Sequence, residues 1–238
     1  AAVEGFDHAT RSRLRQAFCL VNLEQLDDAS MIYQSVFEAT EEEDHKKTAV
    51  TQLHVLCRKY IEKKLYNKSL ALAQQMAEKA DTEDLKVRFR MAAADSLDGQ
   101  TKYGESRPRY LAIAKDHEKH VLAPDALYFA AFAAFQQKEY DNVLSDASVF
   151  SEKYTDHEFA KDVSRLVQES RVLKSVVLFK AENFAETIEL LNAVVKDNPK
   201  GKRVAESLLL LARSQARLKK YDDAKASVGQ LIEGFPES

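Results

Sequence analysis

KKYDDAKA, residues 219–226, sets a tyrosine and an alanine around an acidic pair, directly after a run of helix formers. KEYDNVLS, residues 138–145, has the same layout. With that tyrosine as a marker, and leucine or phenylalanine allowed in its place, the pattern recurs at Leu26, Tyr66, Tyr103, Tyr140, Phe184 and Tyr221. The intervals are 40, 37, 37, 44 and 37 residues. Periods of this length mark stacked helical units, each unable to bury its apolar face alone.

Two further positions keep step with the marker. Nine residues before it stand Ala17, Cys57, Ala94, Ala131, Ser175 and Ala212; three residues after it stand Ala29, Ser69, Ser106, Val143, Thr187 and Ala224. All are small or β-branched. Helices approach to about 8 Å only where small side chains meet, so these places predict a tight antiparallel pair in every unit. The residue after the marker (Asp27, Asn67, Gly104, Asp141, Ala185, Asp222) is of an N-capping type in five of the six units, and it is expected to cap the second helix. Pro199 and Pro236 fall where second helices end and Pro124 where a first helix opens, so proline is expected only at boundaries.

The best-formed unit, AESLLLLARSQARLKKYDDAKASVGQLIEGFPES at 205–238, resembles a tetratricopeptide repeat. Leu208, Leu211, Ala212, Tyr221, Ala224 and Pro236 take that family's apolar, apolar, small, aromatic, small and proline places. The resemblance implies an all-α fold: a right-handed superhelical solenoid of about six antiparallel hairpins, one array over 1–238 and part of a longer chain. Tryptophan is missing from the family's early aromatic place, and Arg171 and Lys174 stand at usually apolar places. The 44-residue interval predicts a lengthened helix or an insertion near TDHEFAKDVSRLVQ, residues 155–168. The 37-residue spacing and the GFPES ending are similar to bacterial cell-envelope members, which implies a periplasmic or envelope location over a cytoplasmic one.

Composition agrees with helices. Apolar residues make up 45% of 238, with only 6 Gly and 4 Pro. Balanced charge, 35 basic against 38 acidic residues, supplies no general attraction for nucleic acid, and no apolar run reaches membrane-spanning length. The histidines of HEKH, residues 117–120, lack zinc-protease spacing and read as a solvated helix end. Cys57 reads as a buried core thiol, and EATEEEDH, residues 38–45, as a solvated connection. No catalytic residue, metal or cofactor is expected.

What is left is surface. In PDALYFAAFAAF, residues 124–135, Leu127, Ala130, Ala131 and Ala134 form the packing face, while Tyr128, Phe132 and Phe135 make a stripe on the opposite side. Two readings stay open: the rings pack on neighbouring units, or they line a groove. In the same register His54 and Arg58, Asp95 and Asp98, and Arg213 and Arg217 flank the stripe. Paired Lys and Asn of the chaperone-binding carboxylate clamp are absent from the matching places. The reading is a non-catalytic scaffold that binds a protein or peptide segment in a concave groove through Tyr128, Phe132, Phe135, His54, Arg58, Asp95 and Arg213. The alternatives are an accessory repeat region of a larger enzyme or regulator, and a structural protein that self-associates through the Leu14 and Phe18 end, part of an apolar stripe with Val21, or through uncapped ends. At the last unit Leu208, Leu211, Val228 and Leu231 are expected to be partly uncovered, so the chain is expected to continue past Ser238.

Overall fold

The computed structural model describes residues 2–236, with side chains from residue 8 onward. Among the described residues there are twelve helices and no strand. They are α1 (Ala2–Asn22), α2 (Leu26–Ala39), α3 (Glu43–Glu62), α4 (Tyr66–Lys79), α5 (Glu83–Gly99), α6 (Tyr103–Asp116), α7 (Ala123–Gln136), α8 (Tyr140–Lys153), α9 (Ala160–Lys180), α10 (Phe184–Asp197), α11 (Val204–Arg217) and α12 (Tyr221–Gly234). The chain divides into two compact units, Ala1–Ala133 and Ala134–Ser238, with the division inside α7. In the first, α1–α2, α3–α4 and α5–α6 pair as hairpins, and each later hairpin lays its first helix on the preceding second helix. In the second, α9–α10 and α11–α12 do the same, α9 lying on α8 and α11 on α10.

The small positions are where the helices meet. Ala17, Cys57, Ala94, Ala131, Ser175 and Ala212 are all at most 6% exposed, and Ala29, Ser69, Ser106, Val143 and Thr187 are fully buried. At Ser175 and Thr187 the hydroxyl turns back on its own helix: Ser175 Oγ donates to the Arg171 carbonyl and Thr187 Oγ1 to the Asn183 carbonyl, both at 2.7 Å. At these two places a buried polar group is thereby satisfied without widening the crossing.

The turn inside each hairpin differs from the sequence expectation. Second helices begin at the marker itself, so the N-cap is Gln25, Leu65, Lys102, Glu139, Asn183 or Lys220, and the residue after the marker is already in the helix. Among these six, only Asn183 caps with its side chain, accepting from the Glu186 N–H at 3.4 Å. Asp27, Asp141 and Asp222 instead lie in the first turn, where a carboxylate faces the positive end of the helix dipole. What shapes the turn is the residue two before the marker. Glu24, Lys64, Thr101, Lys138, Glu182 and Lys219 all have φ between 59° and 62°, the left-handed region. In the second hairpin the Leu65 N–H reaches the Tyr60 carbonyl at 2.8 Å and the Lys64 N–H reaches Ile61 at 2.9 Å; the same bond pair closes all six turns. This is a Schellman close, which usually employs glycine, and the absence of glycine hides it from a sequence reading.

Three local departures have physical causes. Pro108 lies inside α6, not at a boundary, and is exposed there. Arg171 and Lys174 fit at apolar places because they are paired: Arg171 with Asp197, and Lys174 Nζ with Asp141 and Glu186, each at 2.6 Å. The long interval before Phe184 is taken up by the turns after Lys153 and by the 21 residues of α9.

At the array's margins burial is uneven. Val21 is buried and Leu14 packs on the core of the first unit, but Phe18 is 55% exposed. Leu208 and Leu211, expected to be partly uncovered, are instead buried with Leu191 and Val204. Leu231 is half-buried and Val228 exposed, as the register requires.

Candidate functional site

In the first unit α3 and α5 bring three of the expected residues together. His54 sets its ring edge-on to the buried Phe89, centroids 5.7 Å apart. Burial pushes its imidazole down to about 4, with the Arg88 and Arg58 cations acting in the same direction, so it is neutral at pH 7. One turn on, the exposed Arg58 reaches Asp95 Oδ2 at 3.7 Å. Tyr110 on α6 donates to Asp95 Oδ1 at 2.8 Å. Burial pushes the Asp95 carboxyl up to about 6, against the pull of Tyr110 and Arg58, and the neighbouring Asp98 and Asp125 carboxylates push the same way as burial. Asp98 is half-buried, and its pKa too is raised by burial.

Tyr128 and Phe132 follow on α7, both half-buried, with ring centroids 6.5 Å apart. Tyr128 also touches Phe129 at 5.2 Å, and Phe129 stacks on Tyr110 at 5.6 Å. One end of the aromatic stripe is therefore tied to the ring that holds Asp95. Phe135 and Arg213 belong to the second unit. Phe135 is half-buried, edge-on to Tyr140 at 6.2 Å, and Arg213 is exposed on α11. Arg217 lies over the Phe184 ring at 5.1 Å and meets Glu182 at 3.3 Å.

A concavity that the sequence reading missed lies between α4, α5 and α6, a cleft of about 510 Å³ with Gln74, Glu78, Arg90, Arg109, Asp116 and His117 on its walls. On its wall Arg90 swings outward to His117 Nε2 at 2.9 Å. The same place of the repeat holds a buried leucine in three first helices (Leu53, Leu127 and Leu208) and an arginine in three (Arg13, Arg90 and Arg171), so the residue type did not single the cleft out.

Cys57 is wholly buried, which pushes its thiol up to about 12 and keeps it un-ionised. His120 pairs with Asp84 at 3.1 Å and His117 with Glu83 at 3.4 Å. Among the described residues no group of three His, Cys, Asp or Glu could hold a metal ion, and no helix is long and apolar enough to cross a membrane.

Comparison with known proteins agrees with the repeat register. Tetratricopeptide-repeat family models match residues 206–238 and 91–142. No curated protein matches the chain in sequence. Among solved structures, the apo form of RapI is 11% identical with a TM-score of 0.54, covering 94% of this chain and 97% of that one. PilF of Pseudomonas aeruginosa is 14% identical with a TM-score of 0.43, covering 98% and 95%. The tetratricopeptide domain of P58(IPK) is 14% identical with a TM-score of 0.41, covering 96% and 66%. The likeness to RapI is one of fold, an all-α helical-repeat solenoid, and the two family matches fall on hairpins whose small, aromatic and turn positions are those described above. The chain carries tetratricopeptide repeats within an all-α helical-repeat fold, a repeat type that serves as a scaffold for protein–protein interaction.

Proposed function

We propose that the protein is a non-catalytic scaffold that holds a segment of another protein against the outward side of its first helices. The observation that carries this is the face of the first unit on α3, α5 and the start of α7. There the exposed Arg58, its partner Asp95 and the half-buried rings of Tyr128 and Phe132 combine polar groups with apolar surface. Such a mixture suits a short amphipathic segment: an apolar side chain on the rings, and a polar one exchanging with the Arg58–Asp95 pair. In the second unit Phe135 and Arg213 are the corresponding contacts.

The test is quantitative affinity capture with the intact chain against an Arg58→Glu/Phe132→Ser variant that retains its helical content. The reading requires a defined partner, mapped by cross-linking to this face, to be lost with the variant. Retention of the same partners by the variant is the contrary result. Exposed Phe18 favours a second reading, self-association through α1, which sedimentation of a Phe18→Glu variant separates from the first.

A further inference from the structure

The cleft between α4, α5 and α6 can be compared, place by place, with the junction of α2, α3 and α4 one repeat earlier. In that junction Phe37 on α2 and Leu56 on α3 are buried in the core with Leu53 and Leu72. Lys79 Nζ on α4 donates to Glu38 Oε1 on α2 at 2.6 Å and ties the two second helices together. One repeat on, at the intervals of the marker, Phe37 becomes Ala77 and Leu56 becomes Ala93. Two large side chains are thus missing where the cleft of about 510 Å³ opens. Leu53 and Leu72 become Arg90 and Arg109, and the Glu38–Lys79 pair becomes Glu78 and Asp116. All six of these residues line the cleft.

The exchange inverts the chemistry of the junction. Glu78 and Asp116 are two carboxylates at the places of an ion pair, so they repel where their counterparts bond. Among the described residues neither they nor Arg109 enters an ion pair. Arg90 is held by His117 Nε2 at 2.9 Å. Beneath these groups lies an apolar floor of Ala77, Ala93 and Ile113. On α6, Arg109 and Asp116 are seven residues apart, a rise of about 10 Å. An extended chain of about three residues has the same span.

We infer that this cleft is a binding site for a tripeptide with free termini and a large apolar central side chain. Its ammonium lies between Glu78 and Asp116, in the place that Lys79 Nζ takes beside Glu38. Its carboxylate pairs with Arg109, and Arg90 donates to a peptide carbonyl. The central side chain fills the volume that Phe37 and Leu56 take up one repeat earlier. The two arginines and two carboxylates of the walls cancel, so a zwitterion leaves no net charge in the cleft. The site is separate from the α3–α5–α7 face, because α5 turns Arg90 and Ala93 to the cleft and Asp95 to Arg58. The two readings stand or fall independently.

The probe is the tripeptide Ala-Phe-Ala, titrated calorimetrically into the intact chain at pH 7. Saturable one-to-one binding is expected. N-acetylation of the peptide or Asp116→Lys in the chain is expected to weaken it at least tenfold, and so is C-amidation of the peptide or Arg109→Leu in the chain. Ala77→Phe is expected to abolish binding by refilling the cleft, and Arg58→Glu to leave it unchanged. Free phenylalanine, whose charges share one carbon, is expected to bind at least tenfold more weakly. Arg109 and Asp116 are exposed, so their substitution leaves the fold intact and the losses are attributable to the cleft. No binding of Ala-Phe-Ala up to millimolar concentration, equal binding of the doubly blocked peptide or of free phenylalanine, or undiminished binding by the Asp116→Lys chain would each overturn the inference.

Discussion

The ring of Tyr66, the first residue of α4, lies directly against Gly99 near the end of α5: a Cβ built on Gly99 would stand 2.3 Å from Tyr66 Cε1. In the second unit the equivalent aromatic, Phe184, lies under Arg217, whose place in the repeat is that of Gly99. The marker aromatic is thus both the start of a second helix and a contact to the next first helix, which explains its recurrence. Gly99→Ala is therefore expected to displace the ring and destabilise by about 1–3 kcal/mol. At Gly229 nothing lies within 4 Å of an added Cβ, and Gly229→Ala is expected to stabilise by about 0.5–1 kcal/mol through helix propensity. Paired denaturant melts of the two variants check the opposite signs.

The left-handed turns carry a removable strain. A residue with a Cβ at φ near 60° loses roughly 1–2 kcal/mol relative to glycine there, partly offset by glycine's freedom in the unfolded chain. Lys64→Gly and Lys219→Gly are each expected to stabilise by about 0.5–1 kcal/mol, and Lys64→Val to destabilise by more than 1 kcal/mol, as read from chemical denaturation.

Pro108 deprives α6 of a backbone donor and crowds the carbonyl four residues earlier. Since Pro108 is exposed, Pro108→Ala is expected to stabilise by about 2 kcal/mol, measurable as a raised midpoint of unfolding.

Much of the fold is legible in the sequence because close helix crossings demand small residues at fixed places, and Ala17, Ala94 and Ala131 are buried where the register puts them. The turns are not legible, because Lys, Glu and Thr in a left-handed conformation leave no compositional trace. Pairing compensates the unfavourable Arg171 and Lys174, and only the fold brings their acids within reach. At the site, sequence spacing found the face shared by His54, Arg58 and Asp95 but not the tie from Tyr110 to Asp95, a contact between two helices of one hairpin. The cleft beside Arg90 was missed because arginine also stands at that place of the repeat at Arg13 and Arg171, so the sequence does not single it out.

Two opposed titrations lie on α3 and α5. Asp95 has its pKa raised by folding to about 6, so the stability it contributes is present at low pH and lost as pH rises through 6. His54 has its pKa depressed to about 4, so its contribution is present above its unfolded pKa and lost as pH falls through 4. The two slopes oppose one another between about pH 4 and 6, each on the order of 1–2 kcal/mol after solvent screening. Stability is expected to be nearly flat across this window in the native chain, to rise with pH in Asp95→Asn, and to fall with pH in His54→Phe. Urea midpoints measured at half-unit steps of pH decide it.

The scaffold reading rests on partners meeting the outward side of the first helices, and site-specific photo-cross-linking addresses that side directly. A photoreactive residue is placed at Arg58 or Tyr128, and in a control chain at Lys119, in the exposed connection after α6. After irradiation with native partners present, the cross-linked peptides are sequenced. A common partner segment captured from positions 58 and 128 and absent from position 119 is the predicted result. Equal capture at all three positions, or none at 58 and 128 while the partner remains bound, would contradict it.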